Sequence, residues 1–391
     1  MTVPSQRPLH IFLVAGEESG DQLGGKLMSA LRERHAPSAV QFSGVGGHAM
    51  EAQGLDSLFP LSEIAVMGIS AVIPRLPALV RRVYQTVEAA VASRPDVVVI
   101  IDSPDFTHQV AKRIRRRAPE IPIVDYVSPS VWAWRPGRAA KMRAYVDHLL
   151  AILPFEPDEH KRLGGPPCTY VGHPLIERLG EIRSRPGERR ELGDGPVNLL
   201  VLPGSRRSEV SRLMEPFGQA LGMLREQFQG PLEVTVPAVA HLADEIAERA
   251  KSWPIVPRLV HGEAAKWAAF RNAHAALAAS GTVTLELALA GTPMVVAYKV
   301  SKLEEQLRHF IKVPSIVLAN LVIGSNVIPE LIQWDCTPEK LSQALLPLMS
   351  QTKARQVQVE AFRQLDAIMA IGDETPSGRA SRIVRSVALA E

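Results

Sequence analysis

The chain has 391 residues, 46% of them hydrophobic, and a net charge of +3. That length exceeds one ordinary core and calls for two domains, while the near-balanced charge argues against nucleic acid as a partner. No apolar run is long enough to span a bilayer, Cys168 and Cys336 match no metal-ligand spacing, and the first ten residues lack a signal-peptide core, so a cytoplasmic protein is expected.

Ile11 to Ala15 is a compact apolar strand. The loop Gly16-Glu17-Glu18-Ser19-Gly20-Asp21 follows it, and Leu23, Leu27 and Leu31 recur every four residues in a helix from about Gln22. Ligands gather at such strand-loop-helix junctions. Glu17 could orient a substrate hydroxyl, whereas Asp21 reads as a first-turn acid. Gln41 to His48 reads as a Gly-rich turn. It is not the G-x-G-x-x-G fingerprint, which argues against nicotinamide or flavin. Ile64 to Val83 is apolar but interrupted by Pro74 and Pro77, and flanked by Arg75, Arg81 and Arg82. Short apolar pieces of this kind suit either a lipid interface or a kinked core helix. On the interfacial reading, Ile73, Leu76, Leu79 and Val80 are the membrane-contact residues.

Asp96 to Ile101 is a strand, and Asp102 stands at its carboxyl end, where an α/β protein draws its catalytic groups. Asp102 is the candidate general base; Asp105 reads as a helix-capping acid. Ile121 to Tyr126 is the next strand. Trp132 and Trp134 beside Arg135 in the loop that follows could form a binding wall or pin the loop to the core. After the charged stretch Glu181 to Gly195, a second α/β pattern begins with the strand Val197 to Leu202. Gly204 then permits close backbone approach, and Arg206 offers a forked donor for a diphosphate. Ala275 to Ala297 reads as strand, turn, helix, strand. Its Ser280-Gly281-Thr282 turn has free N–H groups and a helix amino end suited to phosphate, and Glu286, one turn in, suits sugar hydroxyls. The alternative at this stretch is an ordinary βαβ turn with Ser280 as N-cap. Helices are expected near Thr337-Pro338-Glu339, over Ala354 to Ile371, and near Arg379 to Val387.

The stretches VAGEESGD, GVGGHAM, IAVMGI, DSPDF, YVSPSVWAW, LPFE, VGHPL, LPGSR, ASGTVTLE, PMVVAYK and PELIQ run in order from Val14 to Gln333. Together they closely resemble the lipid-A-disaccharide synthases, bacterial glycosyltransferases that join two acylated glucosamines. The resemblance implies an α/β fold of GT-B type, two Rossmann-like doubly wound domains facing a cleft. It implies an acceptor- and membrane-facing domain over 1–174 and a UDP-sugar domain over 175–336. Helices over 337–391 would return to the first domain, of the same chain or of a partner in a homodimer. One departure is Glu18, where a small hydroxyl residue is expected.

The implied donor is UDP-2,3-diacylglucosamine and the implied acceptor the 6-hydroxyl of 2,3-diacylglucosamine 1-phosphate. The products are the β-1,6-linked disaccharide 1-phosphate and UDP, with inversion. Asp102, Arg206 and Glu17 would be catalytic. Ser205, Arg206, Ser280, Gly281, Thr282 and Glu286 would hold the nucleotide, and Gly16, Glu17, Ser19 and Asp102 the acceptor. No metal and no cofactor are expected, and the enzyme would sit on the cytoplasmic face of the inner membrane. The competing readings are another GT-B enzyme, such as a lipid-linked aminosugar transferase or a UDP-sugar 2-epimerase, and a non-catalytic UDP-sugar-binding regulator.

Overall fold

The computed structural model describes residues 7–34, 39–65, 69–300 and 313–390, with backbone alone for 69–74. Two compact units divide the chain: Met1–Ile176 with Met369–Glu391, and Glu177–Ile368. Each is built on a six-stranded sheet whose strand pairs are all parallel.

In the first unit the strands are β1 (Leu9–Ala15), β2 (Val40–Val45), β3 (Val97–Ile101), β4 (Ile123–Tyr126), β5 (His148–Ala151) and β6 (Cys168–Tyr170), in the order β2-β1-β3-β4-β5-β6. Both faces of this sheet are covered, so its strands are apolar on both sides rather than alternating. Phe12, Val14, Val98 and Ile100 face one core, against the helices Ile69–Ser93 and Pro104–Arg117. Ile11, Leu13, Val97 and Val99 face the other, against Leu23, Leu27 and Leu31 of the helix Glu18–Glu33. Ala380, Ile383 and Val384 of the last helix, Pro376–Leu389, complete that second core.

In the second unit β7 (Val197–Leu202), β8 (Leu232–Ala238), β9 (Arg258–His261), β10 (Ala275–Ala279), β11 (Met294–Tyr298) and β12 (Glu330–Ile332) take the order β12-β11-β10-β7-β8-β9. The chain builds outward from β7 to β9, then crosses back to lay β10 against β7 and builds the other way. The helices Pro338–Leu345 and Lys353–Met369 lie wholly or mainly in this unit, up to Ile368, while Pro376–Leu389 lies in the first.

Three expectations change. The first helix starts at Glu18, with Glu17 as N-cap in an extended conformation (φ −146°, ψ 168°), a full turn earlier than Gln22. Most of Gln41 to His48 is strand β2, because Phe42 and Val45 bury against the first unit's cores and outweigh the glycines. The region expected to break at Pro74 and Pro77 is one helix, Ile69–Ser93. Each proline removes one ladder hydrogen bond, while Val83, Val87 and Ala90 bury a continuous apolar stripe that sustains the helix. Among the described residues no helix is long and apolar enough to cross a membrane.

The charged stretch near the start of the second unit, Glu181 to Gly195, has a structural task. The guanidinium of Arg189 donates to the carbonyls of Phe270, Arg271, Ala290 and Gly291 and to Thr292 Oγ1, at 2.8 to 3.3 Å. One side chain therefore caps the carboxyl ends of two helices, Glu263–Asn272 and Val283–Leu289. Burial, with Arg355 nearby, lowers its pKa to about 10. Arg189→Met should cost roughly 2–4 kcal/mol of stability in urea unfolding, because it orphans several carbonyls at once. Arg189→Lys should recover little, because a single ammonium lacks the fork that spans both helix ends.

Candidate functional site

Both sheets have a switch point, where neighbouring strands send their outgoing loops in opposite directions and leave a crevice at their carboxyl ends. In the first unit it lies between β1 and β3, in the second between β7 and β10. The candidate catalytic and ligand-binding residues fall on these four loops and on the first turns of the helices that follow them.

At the first switch point, Ser19 Oγ donates to Asp102 Oδ2 at 2.8 Å, and the Ser103 N–H donates to Asp102 Oδ1 at 2.7 Å. Asp102 and Ser103 both have left-handed backbones, φ +55° and +46°. Such strain in two consecutive non-glycine residues concentrates at functional sites. Gly16 passes so close that a Cβ there would lie 2.3 Å from Ser103 Cβ. Gly16, Ser19 and Asp102 are thus one packed constellation, and Glu17 stands beside them, half-exposed. Asp21 belongs elsewhere: fully buried, it accepts the N–H groups of Gly47, Ala49 and Met50. It caps the short helix His48–Glu51 rather than merely sitting in its own first turn.

At the second switch point a cavity of about 340 Å³ is lined by Gly204, Ser205 and Arg206 from the β7 loop and by Ser280, Gly281, Thr282 and Glu286 from the β10 loop. Its shape depends on a carboxylate that sequence reasoning missed. Glu209, buried in the first turn of the helix Arg207–Gln227, accepts the N–H of Ser205 at 3.0 Å, the N–H of Arg206 at 3.2 Å and Arg206 Nη1 at 3.0 Å. One buried acid therefore sets both the loop and the guanidinium, while the Arg206 side chain stays 59% exposed.

Lys266 was also missed. It reaches the cavity from the helix Glu263–Asn272, its Nζ 4.3 Å from the Trp267 ring centroid and 2.5 Å from Glu286 Oε2. Its only sequence signal is a lone cation in the otherwise apolar run AAKWAAF. Ser280 is not the N-cap of the helix Val283–Leu289; that residue is Thr282. The Ser280 hydroxyl instead donates to the Ile316 carbonyl at 2.8 Å, which commits its proton. Among the described residues the N–H groups of Gly281, Thr282 and Val283 meet no acceptor. Open N–H donors, two cations and a carboxylate make a site for an anion that also carries hydroxyls. A larger cavity, about 610 Å³, is lined by Asn198, Leu232 and Arg258 at the amino ends of β7, β8 and β9 and gathers none of the candidate residues.

Of the interfacial candidates, Leu76 and Val80 are exposed, and Tyr84 continues their row at helical spacing. Leu79 turns inward and packs against the first unit's core, because it shares the phase of Val83 and Val87. The Ile73 side chain lies outside the described residues. Arg82 is engaged by Glu63 at 2.5 Å and lies over the Phe59 ring.

The loop after β4 is anchored by a buried polar cluster. Ser128 Oγ lies 2.8 Å from His160 Nε2, and Trp132 Nε1 donates to Glu156 Oε1 at 3.2 Å. Burial raises Glu156 to about 7 and lowers His160 to about 4.

Gly204→Ala should disable the second crevice. Gly204 has φ +113°, and a Cβ there would sit 2.4 Å from Glu209 Oε2. Displacing Glu209 frees Arg206 and the loop N–H groups, so ligand affinity measured by calorimetry should fall by roughly tenfold or more while the far-ultraviolet circular dichroism stays native.

A family model described as lipid-A-disaccharide synthetase matches residues 11–376. The lipid-A-disaccharide synthase of Rhodopseudomonas palustris strain HaA2 is 55% identical over 378 residues, covering 96% of each chain. Among solved structures, the glycotransferase of kitacinnamycin superposes with a TM-score of 0.61 at 16% identity, covering 98% of this chain and 100% of that one. The UDP-GlcNAc 2-epimerase of Methanocaldococcus jannaschii, in complex with UDP-GlcNAc and UDP, gives 0.58 at 13% identity, covering 96% and 99%. These two likenesses concern the fold, which is of GT-B type. On the strength of the family match and the relatives' identity, the chain belongs to the lipid-A-disaccharide synthase family of glycosyltransferases.

Proposed function

We propose that this glycosyltransferase moves 2,3-diacylglucosamine from its UDP donor to the 6-hydroxyl of 2,3-diacylglucosamine 1-phosphate, giving the β-1,6-linked disaccharide 1-phosphate and UDP with inversion. The observation that carries this reading is the second unit's crevice, where open N–H groups, Arg206 and Glu286 meet at a switch point. It suits a nucleotide diphosphate whose ribose hydroxyls reach Glu286. Asp102 acts as the base. It takes the proton of the acceptor's 6-hydroxyl as that oxygen attacks the donor's anomeric carbon, and Ser19 and the Ser103 N–H hold its carboxylate in position. Glu17 and Gly16 bound the acceptor side. As the anomeric C–O bond breaks, its electron pair goes to the diphosphate, where Arg206 and the N–H groups of Gly281, Thr282 and Val283 meet the growing charge. Lys266 shares Glu286 with the ribose.

The direct test is mass spectrometry of the product made by purified protein from the two acylated substrates. A disaccharide 1-phosphate with stoichiometric UDP supports the reading. A 2-epimerised UDP-sugar formed without acceptor, or UDP bound without turnover, overturns it. Arg206→Ala should lower turnover on the order of a hundredfold. Asp102→Asn should abolish turnover and leave UDP affinity nearly unchanged by calorimetry; retained turnover would shift the role of base to Glu17.

Acyl chains rest in a bilayer, so the enzyme would work at the inner-membrane surface, on its cytoplasmic face. Leu76, Val80 and Tyr84 form an exposed row that can dip into lipid, with Arg75 and Arg81 beside it. Leu76→Ser with Val80→Ser should release the protein from anionic liposomes with little change in melting temperature. A steep loss of melting temperature with liposome binding intact would remove this surface from the membrane.

A further inference from the structure

The loop Val127–Arg135 leaves β4, the neighbour of β3. It is tied to both sides of the Asp102 turn. At its start the Asp102 N–H donates to the Tyr126 carbonyl at 3.0 Å; just past its end, Arg138 Nη2 donates to Asp105 Oδ1 at 3.3 Å. Its first residue, Val127, has φ +84°, a conformation that strongly disfavours a β-branched side chain, and Arg135 has φ +53°. The loop is held rigidly in spite of that strain. The Val127 N–H donates to the Leu150 carbonyl, Ser128 is buried against His160, and Val131 is fully buried. Trp132 bonds Glu156 and meets the Phe155 ring edge-on at 5.2 Å.

The two tryptophans therefore divide. Trp132 anchors the loop, whereas Trp134 is 39% exposed at its tip. The Arg135 guanidinium lies 3.9 Å from the Trp134 ring centroid, and among the described residues it meets no carboxylate. A fixed aromatic surface beside an unneutralised, oriented guanidinium suits a sugar that carries a phosphate. Cations cluster on the helices Pro104–Arg117 and Gly137–Met142. Lys112 is held below the usual lysine range by burial and then by Arg138, Lys141, Arg113 and Arg116.

Resting on the reaction proposed above, we infer that Trp134 and Arg135 select the acceptor. Trp134 lies against its glucosamine ring and Arg135 forks onto its 1-phosphate, so that the 6-hydroxyl is delivered to Asp102. A membrane phospholipid could offer the same phosphate chemistry, and the experiment separates the two sources.

Turnover is measured in neutral detergent micelles with the 1-phosphate acceptor and with the same acceptor lacking its phosphate. Binding to phosphatidylglycerol vesicles is measured in parallel. Arg135→Gln should raise KM for the phosphorylated acceptor by roughly tenfold or more, the size of a lost charged hydrogen bond. Donor KM and vesicle binding should be unchanged, and the two enzymes should converge on the dephosphorylated acceptor. Arg135→Lys should recover part of the loss. Trp134→Leu should raise KM for both acceptors alike. Both side chains are exposed, so the melting temperature should hold. An unchanged acceptor KM in Arg135→Gln, or lost vesicle binding with normal micellar kinetics, overturns the inference and leaves the reaction standing. If the parent enzyme makes no disaccharide from either acceptor, the reaction assignment falls as well.

Discussion

The structure depends on one topological constraint, the reversal of strand order in each parallel sheet. Where β1 meets β3 and β7 meets β10, adjacent strands point the same way but hand their chains to helices on opposite faces. The two outgoing loops diverge, and the backbone groups at the strand ends lose their ladder partners there. Such groups must be met by side chains, water or ligand. Residues about 80 apart in sequence, Ser19 with Asp102 and Arg206 with Glu286, are brought to common crevices by this reversal alone.

Buried carboxylates then shape what the topology leaves open. Glu209 gathers two N–H groups and Arg206; Asp21 gathers three N–H groups on the turn after β2. The half-buried Glu330 does the same, accepting the Ile316 N–H and Asn320 Nδ2 and holding the segment whose carbonyl receives the Ser280 hydroxyl. A carboxylate accepting several backbone N–H bonds is a rigid staple, because each bond is charge-assisted and their directions are fixed by the chain. A polar loop supported in this way is held in place without an apolar anchor. The left-handed Asp102, Ser103 and Val127 are held differently, their N–H groups donating to the Tyr126 carbonyl, Asp102 Oδ1 and the Leu150 carbonyl.

The sequence made the strands legible because both faces of each sheet are buried, which leaves short continuous apolar runs between turn residues. It exposed the loops because Gly16, Gly204 and Gly281 punctuate them beside acids, hydroxyls and an arginine. Periodicity did less well wherever two causes compete. Pro74 and Pro77 argue for a break, yet the buried stripe through Val83 and Val87 keeps the helix intact. Leu79 and Val80 are adjacent and equally apolar, and only the helix phase against the core separates the inward residue from the exposed one.

The sequence by itself determined the fold class and the family, because parallel βαβ units and an ordered set of short motifs are local properties of the chain. It also determined which residue types stand at the strand ends. Only the tertiary structure decided which of them act together. Glu209 and Lys266 look like ordinary helix residues in the chain, and become part of a crevice because β7, β9 and β10 are assembled in one sheet. Ser280 looks like a cap until its hydroxyl donates to the Ile316 carbonyl, and Trp132 and Trp134 look alike until one is bonded to the buried Glu156 and the other left at the surface. The reason is the same in each case: a side chain's chemistry is set by its partners, and those partners come from strands and helices distant in sequence.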